Sequence, residues 1–332
     1  MTRTTSLPTI EELRAQSPLL VSAFDNLVRG DIGDLKGCLV EHKRDITVRN
    51  TNAIAHIYHL ALDGNGRVLT KILAERIASS IVEYAIPRSL AIEAHERVIS
   101  QKSTSDIFRL IERARTLFVD LDKTGEGGEM FLWALTEQLL GIPQVLSKMS
   151  LKTSGAVHFH GSDGVHANVN DATRKLELYF CESKMYSDLV SGLDKCFQSA
   201  APFLLNMPTL GTEANHEMFL ATEFNKIGDP QLAEALIDHL TPGSIAAQST
   251  EFCLSTFVGF DSEVYPPNVD VVLDEISDAV RAKVNDWVSS CGQSISKHKI
   301  HDFKIIVFLI PFDSVQVFRD QFMISIGVKK DD

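Results

Sequence analysis

Three side chains near the middle of this sequence have the types and spacing for phosphodiester chemistry. They are Asp163 and, 19 residues later, Glu182 and Lys184 within the run LYFCESKMY. Alternate side chains of an extended strand share a face, so Leu176, Leu178, Phe180, Glu182, Lys184 and Tyr186 all point one way. Three apolar residues thus lead into an acid and a base. Two readings are open: the strand emerges into water and its charges pair on the surface, or a buried sheet face opens onto a polar site. The polar turn NDAT joins this strand to the preceding GVHANV as an antiparallel hairpin. A turn centred near Asp171 and Ala172 pairs residues whose numbers sum to about 343 or 344, setting Asp163 beside Phe180 or Cys181 and next to Glu182. Asp171 itself sits in the turn, roughly 35 Å away at about 3.3 Å per residue, and cannot join them. Mg²⁺ or Mn²⁺ takes one or two such carboxylates together with water and substrate phosphate. A metal so held polarises a phosphodiester and activates a bound water, while a neighbouring lysine orients that water or stabilises charge.

These residues need a sheet and helices to hold them. The stretch 9–29 has helical character, and DIGDLKGCLVEHKRDITV mixes glycine with short β-prone runs, the mark of a small α/β unit. VLTKILAERIASSIVEYAI, IFRLIERARTLFVDL and MFLWALTEQLLGI carry apolar residues at helical spacing. Three β-prone segments follow, GAVHFHG, GVHANV and KLELYFCESK, and then helices over about 187–205, 214–225, 230–241 and 268–291. FKIIVFLIPF is apolar on both faces and belongs in the centre of a sheet, and a short helix around DSVQVFRDQF follows it. A loose boundary near residues 88–104 divides the chain into an N-terminal α/β unit, 1–100, and a larger domain, 101–332. The class is α/β (α+β), a mixed sheet flanked by helices.

Composition narrows the function. A chain of 332 residues that is 44% apolar builds a sizeable core, and its net charge of −12 excludes a surface that grips nucleic acid by diffuse electrostatics. The five cysteines form no CxxC pair, which suits reduced thiols. MTRTTSLPTIEELRAQ lacks the apolar centre of a signal peptide, and no apolar run approaches the roughly 20 residues that span a bilayer. The expectation is a soluble, cytoplasmic protein with no membrane partner.

An Asp followed about 10 to 30 residues later by Glu-x-Lys on a strand resembles the PD-(D/E)xK nuclease superfamily, though Ser162 stands where the usual proline precedes the Asp. The resemblance implies a restriction-endonuclease-like sheet and a further acid from the first helix. GEGGEMFLWALTEQLL supplies Glu129 for that place; helix capping is the structural alternative. Glu137, two turns on and about 80° round the wheel, is less suited to share its face. GGEMFLWALTEQLLG, KMSLKTS, GSDGVH, ESKMY and the later FKIIVFLIPF together resemble the DUF1837 (HamA) family, effector subunits of Hachiman antiphage systems. The likeness is strongest over about residues 125–190. It implies metal-dependent DNA cleavage, partnership with a superfamily 2 (HamB-like) helicase, Asp163, Glu182 and Lys184 as catalytic core, and Glu129 beside them. Asp163, Glu182 and Glu129 would hold Mg²⁺ or Mn²⁺, and the N-terminal unit would dock the helicase, whose grip on DNA would offset the acidic charge. Two rival functions remain: a non-catalytic regulatory or scaffold subunit whose Glu182 and Lys184 form a structural ion pair, and a repair or RNA-directed nuclease.

Other features have plainer readings. Lys148 and Lys152 offer phosphate contacts, with Thr153 and Ser154 beside them, or are solvated surface lysines. His158, His160, His166 and Cys181 match no structural zinc spacing, since Cys181 faces away from Glu182 on its own strand; His160 or His166 could instead touch phosphate or tune the acids. DGNGR at 63–67 lacks the P-loop spacing and reads as a tight turn. No GxSxG elbow occurs, and the acids near 261–279 coat a helix exterior.

Overall fold

The computed structural model of the protein describes residues 21–30, 33–118, 125–147, 162–205, 227, 229–241, 243–265 and 272–329. The predicted strand at 155–161, the helix at 214–225 and most of the first helix lie outside them. Seven strands form one sheet: β1 (Leu39–Thr47), β2 (Ala53–Leu60), β3 (Gln144–Ser147), β4 (Gly164–Val169), β5 (Leu176–Tyr186), β6 (Thr250–Asp261) and β7 (Ile305–Phe312). Their spatial order is β1-β2-β7-β6-β5-β4-β3. The four central strands, β2, β7, β6 and β5, run parallel, and antiparallel pairs close both sides. Every residue of β7 is buried, as its two-faced apolar sequence predicts for a strand with parallel neighbours.

Helices cover both faces. On one lie α1 (Thr70–Ser79), α5 (Glu126–Ala134, continued by a π turn over Leu135–Leu139) and α9 (Val315–Ser325). The other carries α6 (Leu189–Leu205), the crossover from β5 to parallel β6, and α8 (Leu273–Lys297). The remaining described helices of eight or more residues are α3 (Arg88–Gln101), α4 (Ser105–Thr116) and α7 (Pro230–Leu240), with a short α2 (Ile81–Ala85). Both covering helices approach β5 closely. A Cβ on Gly192 of α6 would lie 2.8 Å from Val258 Cγ1 and 3.6 Å from Tyr186 Cβ, and one on Gly128 of α5 would lie 3.2 Å from Met185 Cγ. Even-numbered β5 side chains therefore face α6, and odd-numbered ones face α5.

Three expectations change. The charged stretch near residue 88, read as a boundary, is the 14-residue helix α3. Nor does residue 100 divide two cores: β1 and β2 join the common sheet through β2–β7 pairing, and one hydrophobic cluster runs from Phe24 to Ile326. The resulting core is continuous because β2 needs β7 to bury its edge. β6 was not anticipated from the sequence, since Ser255 and Thr256 interrupt its apolar run. Both are fully buried, and their hydroxyls bond to Thr136 Oγ1 at 2.8 Å and to the Ile306 carbonyl at 3.0 Å. Among the described residues, no helix is long and apolar enough to cross a membrane.

Candidate active site

Asp163 immediately precedes β4, and the hairpin brings it to the polar half of β5. The observed register pairs Gly164 with Cys181 and Val165 with Phe180, one residue beyond the sum expected from the sequence. The turn sits later than predicted because the Asn170 side chain accepts from the backbone N–H groups of Ala172 and Thr173, and Arg174 takes a positive φ of 58°. The Asp163 N–H donates to the Cys181 carbonyl at 2.9 Å. Its Oδ2 accepts from the Ser183 N–H at 2.8 Å and from Ser183 Oγ at 3.1 Å. Asp163 is therefore tied to β5 on either side of Glu182, through its N–H at Cys181 and its carboxylate at Ser183. Asp171 stays far off in the turn, exposed beside Arg174.

Glu182 is buried at 2% exposure, and its Oε1 accepts a hydrogen bond from Lys184 Nζ. Lys184 also donates to the Ser183 carbonyl at 3.2 Å and is partly exposed. Burial pulls the Lys184 ammonium down, but the Glu182 charge, the hydrogen bond to it and Asp163 beyond outweigh that and raise it above an ordinary lysine. It stays a cation at neutral pH. These are not charges pairing on an outer surface: the acid lies within the sheet layer and the lysine leads from it to solvent. Behind them on α6, Cys196 Sγ donates to the Glu182 carbonyl at 3.5 Å. All five cysteines are free and buried.

Glu129 reaches the region from the other face. It lies in the first turn of α5, 7% exposed, and accepts from the Tyr84 hydroxyl at 3.5 Å. Ser183 and Met185, on the odd face of β5, pack against the adjoining Gly128. Asp163, Glu182 and Lys184 thus come within electrostatic reach of one another, whereas Glu129 approaches on the Ser183 side of β5, the face opposite Glu182. Tyr84 and Glu126 were missed from the sequence. Tyr84 is 1% exposed, and its hydroxyl is pushed well above the usual tyrosine range by burial, then by Glu129, Asp163 and Glu126. Glu126 is 4% exposed. A helix-start acid and a tyrosine on a separate helix give no local signal of convergence.

Glu137 has a structural role. It is fully buried, and its carboxylate accepts from the Arg29 N–H at 2.7 Å, Arg29 Nε at 3.2 Å, Trp133 Nε1 at 3.0 Å and the Gln144 N–H at 2.7 Å. His166 belongs to the same layer, with Nδ1 donating to the Ile142 carbonyl at 2.6 Å. Burial lowers its pKa to about 4, so it is neutral near pH 7. Between pH 6.5 and 4 the unfolded chain takes up a proton that folded His166 refuses. Stability is therefore expected to fall with pH through that window, by up to about 3 kcal/mol for this residue. His239, also lowered to about 4 by burial, acts in the same direction. Urea midpoints at about pH 7 and pH 4.5 would show the slope, and His166→Asn is expected to flatten it. Lys148, Lys152, Thr153, Ser154, His158 and His160 lie outside the described residues.

Among the described residues, no three His, Cys, Asp or Glu side chains are gathered so as to hold a metal ion by themselves. The donor set at Asp163 and Glu182 nevertheless suits Mg²⁺ or Mn²⁺, which commonly keep their waters and take one or two carboxylates plus substrate phosphate in place of a full protein cage. No curated protein matches the chain. A family model described as HamA matches residues 35–326, far beyond the segment where the sequence likeness was strongest. The chain belongs to the HamA family, a membership that points to a role in Hachiman antiphage defence.

Proposed function

We propose that the protein is a divalent-metal-dependent deoxyribonuclease of PD-(D/E)xK type, the effector of an antiphage complex with a superfamily 2 helicase. One observation carries this reading: the Asp163 carboxylate is pinned to the Ser183 backbone, between Glu182 and Lys184, where the buried strand opens to solvent. Asp163 and Glu182 would hold the metal, and Glu129 supports it from the α5 side. When bound, the metal supplies a polarised phosphodiester and a water of lowered pKa. Lys184, already a cation, does not act as the base; it donates hydrogen bonds that orient water or meet developing negative charge. Burial of the acids keeps bulk water from screening these charges. The chain's net charge of −12 repels DNA, so a helicase that binds the strand would deliver it.

The Glu182–Lys184 ion pair also favours a second reading, a regulatory subunit in which the pair is structural. A substrate panel tests both. The chain assembled with its helicase partner is expected to cleave double-stranded DNA in Mg²⁺ or Mn²⁺, to stop on chelation, and to spare RNA. The isolated chain should be at least about tenfold slower, as expected when the partner provides the phosphate grip. No cleavage of any substrate by the assembled complex would sink the enzyme reading, equal rates with and without the helicase would sink partner delivery, and preferential cutting of RNA would redirect the substrate.

A further inference from the structure

Tyr84 sits at the meeting point of the acidic groups on the α5 side. Its ring is held edge-on to Trp133 at 6.0 Å and tilted against Phe118 at 6.4 Å. A tyrosine ring that flips in such a slot leaves its hydroxyl oxygen where it was, so packing alone fixes the position of the donor. Glu129 is different: a long side chain with three rotatable bonds, at the start of a helix that begins with Gly125, Glu126, Gly127 and Gly128. The Tyr84 hydroxyl donates to Glu129 Oε2 across 45 residues of sequence and lies within electrostatic reach of Asp163. At 3.5 Å the hydrogen bond is long, as such contacts often are before substrate and metal tighten a site.

We propose that Tyr84 is a positioning residue for the cation site, holding the Glu129 carboxylate at the Asp163 end of the cluster from the sheet face opposite Glu182. This rests on the metal-dependent nuclease reading. Tyr84 touches neither substrate nor metal; it acts through Glu129, as the outer partners of metal-binding carboxylates do, and its loss is expected to weaken cation binding about tenfold or more.

The test is thermal denaturation of the full chain, stripped of cations and titrated with Mn²⁺, for wild type, Tyr84→Phe, Glu129→Gln, the double variant and Asp163→Asn. Phenylalanine keeps the ring packing, so the cation-free melting temperature of Tyr84→Phe should stay within a few degrees of wild type. Its half-maximal Mn²⁺ concentration should rise about tenfold. The double variant should be no worse than Glu129→Gln alone, because the two residues act as one unit. In cleavage by the helicase complex, kcat should fall while KM for DNA holds. A Tyr84→Phe titration that overlays wild type, while Asp163→Asn abolishes the shift, overturns the role of Tyr84 alone. So do losses in the double variant that multiply. Absence of any Mn²⁺-dependent shift in wild type removes the metal reading and this proposal with it.

Discussion

Asp163→Asn and Glu182→Gln are each expected to reduce DNA cleavage by the assembled complex at least about a hundredfold while the fold persists. An asparagine in place of Asp163 would keep an oxygen able to accept from the Ser183 N–H, the bond that ties this position to β5, so the hairpin should hold. What disappears is the negative charge that attracts a cation. Glu182→Gln likewise preserves volume within a closely packed strand but weakens the hold on Lys184, whose raised pKa depends on the Glu182 charge. Lys184→Ala should cause a loss of similar order, and combining the three should cost little more than the worst single change, because groups acting on one reaction are not additive. Initial rates on plasmid DNA, with gel filtration of each complex, provide the measurement. Unchanged cleavage in Asp163→Asn would leave Glu182 and Lys184 as a structural pair and favour the regulatory subunit.

Glu137→Ala is expected to be the most destabilising single change in the α5 region, by about 3 to 5 kcal/mol. The carboxylate satisfies donors from three parts of the chain: Arg29, Trp133 and Gln144. Alanine would strand the N–H groups of Arg29, Trp133 and Gln144 and leave the Arg29 guanidinium only its bond to Gln144 Oε1, and unpaired buried donors cost far more than a made hydrogen bond contributes. Against a typical total of about 5 to 15 kcal/mol, this removes a large share of stability. A shift in the denaturant midpoint with an unchanged slope would confirm it; a midpoint within experimental error of wild type would refute it.

The sequence made the centre of the sheet and the core of the candidate site legible for a common reason: both are written in local pattern. β7 is apolar on both faces, and β5 alternates into Glu182 and Lys184, so each identifies its environment without reference to distant residues. The hairpin placed Asp163 because a polar turn fixes pairing, although the turn fell one residue later through the hydrogen bonds of Asn170. What was illegible depends on partners far along the chain. β6 hides behind hydroxyls that Thr136 and the Ile306 carbonyl satisfy. Tyr84 becomes part of an acidic cluster only when α2 packs against α5, and nothing near it in sequence announces that. The supposed boundary near residue 100 failed because charge on one helix face looked like a linker, while the pairing of β2 with β7 was invisible.

That last pairing also sets an order of events. Ala53 registers with Ile305, and nearby Asn52 hydrogen-bonds the Asp302 carbonyl across 250 residues. Contacts of such separation make folding slow, since the long intervening chain must be gathered before they form. During synthesis β5 gains its parallel neighbour β6 only once residue 261 has been made, and the strand that completes the centre of the sheet comes later still. Asp163 and Glu182 therefore exist as residues well before the layer that buries them. The layer over the candidate site is thus completed only by the last strands to be made, an order of assembly set by the topology itself.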